Sequence, residues 1–261
     1  MELSPAGKAP VAQVPVIQVP AIQVPVIQVP VIHSPAIEAV DLYRFFHNGD
    51  AETLALRGAS LRVDPGEMVA LVGPSGSGKS TLLACLAGLD EPDGGHVMLQ
   101  GVQLTRRPEA ERARRRAASI GIMLQNGNLF EALSVTDNIR LQMYLAGKTD
   151  AARLDRLLDH VGLSARQGSV SGQLSGGENA RAGLAIALAA APALLLADEP
   201  TGEVDAETEG RIFDLLDHEC ASGMAALIAT HSPALAARAT RVIYIVDGRI
   251  SGDPSAGNAA H

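Results

Sequence analysis

Residues Gly73-Pro74-Ser75-Gly76-Ser77-Gly78-Lys79-Ser80 fit the pattern G-x-x-x-x-G-K-[ST] and stand between two segments of different character. Ahead of them, Met68–Val72 is an unbroken apolar run suited to a buried strand; behind them, residues 81–88 read as helix. A strand, a glycine-rich turn and a helix together aim backbone N–H groups and the positive end of a helix dipole at one place. Phosphate oxygens fit there. Residues Gly73 through Thr81 form the expected cradle for a nucleoside triphosphate. Lys79 would reach the β- and γ-phosphates, and the Ser80 hydroxyl would ligate magnesium.

Three more apolar segments end on polar residues. Residues 194–197 are Leu-Leu-Leu-Ala and run into Asp198-Glu199-Pro200; residues 227–230 lead to His231; residues 120–124 deliver Gln125. In an open α/β sheet, ligands bind outside the carboxyl ends of the strands. Two carboxylates at such an end need a cation or a proton to offset their burial. Leu174-Ser175-Gly176-Gly177-Glu178 precedes a helical pattern, so its N–H groups form a second anion-seeking helix start.

Taken in order, these motifs resemble the ATP-binding cassette family from about residue 36 to residue 250. The resemblance implies a P-loop, RecA-like α/β core, an antiparallel β subdomain and an inserted helical subdomain. It implies two cassettes sandwiching ATP head to tail, each offering Ser175, Gly176, Gly177 and Glu178 to nucleotide held by the other. Asp198 is then the magnesium residue with Ser80 and Gln125, Glu199 polarises the attacking water, and His231 contacts the γ-phosphate. Asp205, within Thr201-Gly202-Glu203-Val204-Asp205, matches the dimer-facing aspartate, although the family more often has Leu where Val204 stands. Glu178 replaces a commoner glutamine, and Ile186 stands where many members have arginine. An aromatic residue before the turn at Asn48-Gly49-Asp50 should stack on adenine. Tyr43, Phe45 and Phe46 compete, and spacing favours Phe46.

Charge narrows the partners. With 21 basic and 29 acidic residues the net charge is −8, which argues against a broad nucleic-acid-binding face. The arginines at 106, 107, 112, 114, 115 and 116 are interleaved with Glu109 and Glu111 and read as a solvated helix face. Cys85 and Cys220 follow no metal or redox spacing and suit a reducing cytosol. Nothing after Met1 reads as a signal peptide, and the longest apolar run, 182–197, is too short for a bilayer. A separate transmembrane permease is therefore expected, with the cassette held peripherally on the cytoplasmic face of the membrane. The subfamily resembled serves lipoprotein-release and macrolide-export systems, whose permeases are FtsX-like or similar and move mechanically. A soluble cassette acting on DNA or the ribosome is the alternative from another class. Against it, only about 95 residues separate Lys79 from Ser175, with no heptads for long coiled coils.

Proline recurs at 10, 15, 20, 25, 30 and 35, in units close to Pro-Val-Ile-Gln-Val. That spacing excludes helix and central strand. Residues 1–35 read as a low-complexity tail rather than a docking arm. Residues 36–252 are the expected cassette, with its helical subdomain at about 126–172, and residues 253–261 are a polar tail. Within the cassette, strands are expected at 37–42, 59–63, 95–100, 120–124 and 193–197. Ala225–Ala229 and Arg241–Val246 complete the set, the last turning at Asp247-Gly248.

Overall fold

The computed structural model describes residues 34–48, 51–123, 129–201 and 204–251. Residues 1–33, which hold most of the proline repeat, with Gly49, Asp50, Leu124 to Asn128, Gly202, Glu203 and residues 252–261, lie outside the described residues.

The chain opens on a long hairpin, β1 (Ile37–Asn48) and β2 (Ala51–Val63), followed by β3 (Met68–Val72) and α1 (Lys79–Leu86). Next come β4 (Gly94–Leu99), β5 (Val102–Gln103), α2 (Glu109–Ser119) and β6 (Ile120–Met123). The helical segment holds α3 (Val135–Leu145) and α4 (Ala151–His160), then two 3-10 turns, and leads into α5 (Gly176–Leu188). The chain then alternates β7 (Leu194–Asp198), α6 (Ala206–Ala221), β8 (Ala225–Ala229) and α7 (Pro233–Arg238). It closes on the hairpin β9 (Arg241–Val246) and β10 (Arg249–Ser251).

Two sheets result. One has the order β2-β1-β4-β5 and is antiparallel; the other has the order β10-β9-β3-β8-β7-β6, parallel except for the β10 edge. Strand periodicity divides the core in two. Met68, Ala70, Leu195, Ala197, Ala226 and Ile228 face the helical side with Ile139, Leu158, Leu184 and Ile212. The alternate residues Val69, Leu71, Leu194, Leu196, Leu227 and Ala229 pack on Leu82, Leu83 and Leu86 of α1 and on the antiparallel sheet. Apolar residues on both faces explain why these strands read as continuous runs rather than alternations.

The expected elements are present, with informative differences. The first hairpin extends well past the expected 37–42 and 59–63, pairing from Ile37↔Val63 to Asn48↔Ala51. Its outer part carries no clean alternation because the register shifts between Arg44 and Phe45, where Ala55 has no partner opposite it. β4 starts and stops one residue earlier than expected, as Gln100 takes a φ of 50° in the turn. α2 buries none of its residues and answers its own charge: Arg115 pairs with Glu111 at 3.1 Å and Arg116 with Glu109 at 3.0 Å, while Arg112 pairs with Glu91. No helix among the described residues is long and apolar enough to cross a membrane.

Candidate nucleotide site

β3, β8 and β7 are adjacent, and each hands its carboxyl end to a group with chemistry. From β3 the chain turns through Gly73–Gly78 into α1. Gly78 has a φ of 105°, and a Cβ there would stand 2.6 Å from the Ala55 carbonyl oxygen, so only glycine fits. The Lys79 ammonium donates to the carbonyls of Gly73 (2.7 Å) and Pro74 (3.0 Å). Ser77 is buried, and its Oγ has no hydrogen-bond partner among the described residues.

At the end of β7, Asp198 is 5% exposed and accepts a 2.7 Å hydrogen bond from Ser80 Oγ. Two residues 118 apart in sequence thus meet at one point. Glu199 follows with a φ of 52°, in the left-handed region that residues with a side chain adopt infrequently. Its N–H donates to Ala229 O at 2.9 Å, locking the turn to β8. Thr230 Oγ1 lies 3.4 Å from Glu199 Oε2, and His231 Nε2 lies 3.8 Å from Oε1. Oε1 is buried without a hydrogen-bond partner among the described residues.

These groups border one cavity of about 440 Å³, lined by Ser75, Gly76, Gly78, Lys79, Ser80 and Thr81 together with Asp198, Glu199 and His231. Phe46 lines its outer end, 40% exposed. Tyr43 and Phe45 are not among the lining residues, and the Tyr43 ring lies against Gly58 and Gly94. Sequence reasoning missed part of the wall: Thr53, Leu54, Ala55 and Arg57 of β2, with Asp247 and Gly248. The Asp247-Gly248 turn had read only as the end of a hairpin. It returns to the phosphate loop because β9 pairs with β3, and Gly248 N–H then donates to Ser77 O at 2.9 Å. No local signal in the sequence carries that pairing.

Ser175, Gly176, Gly177, Glu178 and Asp205 do not line this cavity. Ser175 caps α5, accepting from Glu178 N–H at 3.2 Å, while Glu178 Oε2 accepts from Ser175 N–H at 2.8 Å. The Ser175 N–H, aided by Arg166 at 3.2 Å, holds the Glu178 carboxyl below its usual range. Asp205 caps α6; the Thr208 N–H at 2.9 Å and its hydroxyl at 3.0 Å likewise hold that carboxyl low. Gln125 lies outside the described residues. Among those described, no three His, Cys, Asp or Glu side chains converge as a metal cluster.

The ABC transporter family profile matches residues 56–202, more than half of the chain. The chain belongs to the ABC transporter family. It is one of that family's ATP-binding, ATP-hydrolysing cassettes. It is 44% identical over 211 residues to the lipoprotein-releasing system ATP-binding protein LolD 1 of Rhodospirillum rubrum, covering 79% of this chain and 93% of that protein. To the macrolide export ATP-binding/permease protein MacB of Neisseria gonorrhoeae it is 36% identical, covering 84% of this chain but only 34% of that protein. Among solved structures, the cassette MJ0796, a dimer in a post-hydrolysis state bound to ADP and Pi, superposes with a TM-score of 0.79 at 29% identity. That match covers 83% of this chain and 97% of the other. A role on DNA or the ribosome finds no support among these relatives.

Proposed function

We propose that residues 36–252 form the ATPase subunit of an export or mechanotransmission system of the lipoprotein-release and macrolide-export type. Its partners are a separate transmembrane permease, FtsX-like or similar, and a second copy of this chain. The permease would hold it at the cytoplasmic face of the membrane. Residues 1–35 and 253–261 stand outside the cassette in this reading, and the helical subdomain spans about 126–172.

The carrying observation is Glu199: a buried carboxylate oxygen without a hydrogen-bond partner, beside His231, at the edge of the cavity lined by the phosphate loop. An acceptor left open there suits a water molecule aimed at a γ-phosphate. Glu199 orients and polarises that water, and His231 donates toward the γ-phosphate. Lys79, released from two loop carbonyls, spreads its charge over the β- and γ-oxygens. The loop N–H groups supply fixed dipoles at no reorganisation cost during the reaction. Phe46 stacks on adenine. Ser175, Gly176, Gly177 and Glu178 of the second copy close on the γ-phosphate side, with Asp205 near the junction.

The donor set fits magnesium. Ser80 and Asp198 offer hard oxygen ligands 2.7 Å apart. Magnesium keeps several waters and takes its remaining ligands from substrate phosphate, so no larger protein cluster is needed. Ser80 and Asp198 would hold it, with Gln125 as the residue the family pattern adds. When bound it supplies charge neutralisation on the triphosphate.

Glu199→Gln tests the reading. The wild-type chain should turn over ATP, whereas the variant should bind ATP, lose turnover by about a hundredfold or more, and accumulate as an ATP-dependent dimer in size-exclusion chromatography. Unchanged turnover in the variant would sink the assignment of Glu199.

A further inference from the structure

The edge of the cavity that holds Phe46 is built around an arginine outside it. Arg44 donates from Nε and Nη2 to the two carboxylate oxygens of Asp90, both at 2.8 Å, and from Nη1 to Asp93 at 3.1 Å. Its guanidinium carbon lies 4.8 Å from the centroid of the Phe46 ring. Arg44 does not line the cavity.

We propose that Arg44 is a positioning residue for nucleotide binding, acting through Phe46, which it backs with a fixed cationic plane. The proposal rests on the reading of Phe46 as the base-stacking residue. A guanidinium held by two carboxylates cannot follow the ring, so the ring settles against it. One ring face is thereby covered and the other is left for a flat π-system. The backbone around Phe46 is held by one of the same acids: Asp93 accepts from Phe45 N–H at 2.8 Å and donates its own N–H to Tyr43 O at 2.9 Å. The register shift between Arg44 and Phe45 falls inside this clamp, and it sets which way Phe46 points.

Asp90 gives the arrangement its second consequence. It lies just beyond α1, with its N–H on Ala84 O at 3.2 Å, so Arg44 ties the strand carrying Phe46 to the helix that begins at the phosphate loop. The bidentate pair thus adds a polar tie between the base end and the phosphate end of the cavity to the apolar packing of α1 on the antiparallel sheet. Exposed surface pairs contribute little, but planar bidentate ones define geometry.

The test compares Arg44→Met, Phe46→Ala and the double variant in the full chain, measuring calorimetric affinity for ATP and for inorganic triphosphate, with thermal unfolding as a fold control. Arg44→Met keeps the stem and removes the fork. It should weaken ATP binding by about three- to tenfold, leave triphosphate binding unchanged, and add nothing once Phe46 is gone. Equal weakening of ATP and triphosphate, or an undiminished effect in the Phe46→Ala background, would show that Arg44 acts through the fold and overturn the proposal. If Phe46→Ala weakens ATP and Arg44→Met does not, the proposal fails while the stacking role stands. If Phe46→Ala leaves ATP affinity unchanged, the stacking role fails first and the proposal with it. Arg44→Lys, a point charge without the fork, should recover less than half of the loss.

Discussion

At the scale of single residues, Glu178 illustrates how context decides what a charge does. An acid in a loop meant for phosphate looks misplaced. Here it is turned back onto Ser175 N–H and toward Arg166, completing a capping box at the start of α5. The same holds for Asp205 on Thr208. Both carboxyls are held below their ordinary values, Glu178 chiefly by the Ser175 backbone N–H and Asp205 chiefly by that of Thr208. The stability each contributes is fully present above the ordinary carboxylate value and is lost as pH falls through the lower folded value. Glu178→Gln and Asp205→Asn keep the cap geometry and remove the charge. Each should flatten the acid limb of a melting-temperature profile by lowering stability near neutral pH while changing it little below the folded carboxyl value; a limb identical to wild type would refute the assignment. The helix start at Ser175 was legible in the sequence. The partner Arg166 was not, because it arrives from a 3-10 turn twelve residues upstream.

At the scale of elements, the parallel strands and the helices after them were legible because each is a local pattern: apolar run, polar cap, amphipathic stretch. What was not legible is how separate elements are tied. Arg153 of α4 donates to Leu188 O at the end of α5 (2.8 Å) and to Glu219 of α6 (2.9 Å), all three largely buried. One side chain thereby fastens the helical segment to the end of the helix that Ser175 begins, and to the helix that Asp205 begins. Nothing in the spacing of 153, 188 and 219 announces it. Arg153→Ala leaves Glu219 buried beside an unanswered carbonyl. It should lower stability by about 2 kcal/mol, read as a shift of the urea midpoint without a change in slope. A change below experimental error would show the tie to be dispensable.

For the molecule as a whole, the decisive fact is a separation. Lys79, Ser80, Asp198, Glu199 and His231 converge on one cavity, while Ser175 to Glu178 and Asp205 do not line it. If those helix starts serve a nucleotide, it is one held by another copy. ATP turnover per chain should therefore rise with protein concentration, and the total rate should approach second order in protein at low concentration. Strict proportionality over a hundredfold dilution would argue for a monomeric enzyme. The motifs foretold both halves of this arrangement, since each is a short stretch of sequence. The wall between phosphate and base was hidden, because it depends on a bulge in β2 and on the β9–β3 pairing, neither of which has a local signature.

That wall has a genetic consequence. Gly78 and Gly248 are 170 positions apart, yet a side chain at either would collide with the same atom, the Ala55 carbonyl oxygen, at 2.6 and 2.5 Å. The two sites are therefore one constraint written twice. A shift of β2 that withdraws this oxygen eases both, although the Ala55 carbonyl carbon and Leu56 Cα still crowd position 248 at 3.0 Å and both sites keep the strain of a left-handed backbone. Because the atom is main chain, the course of β2, not the side chain at position 55, sets the tolerance of the phosphate loop and of the final hairpin together.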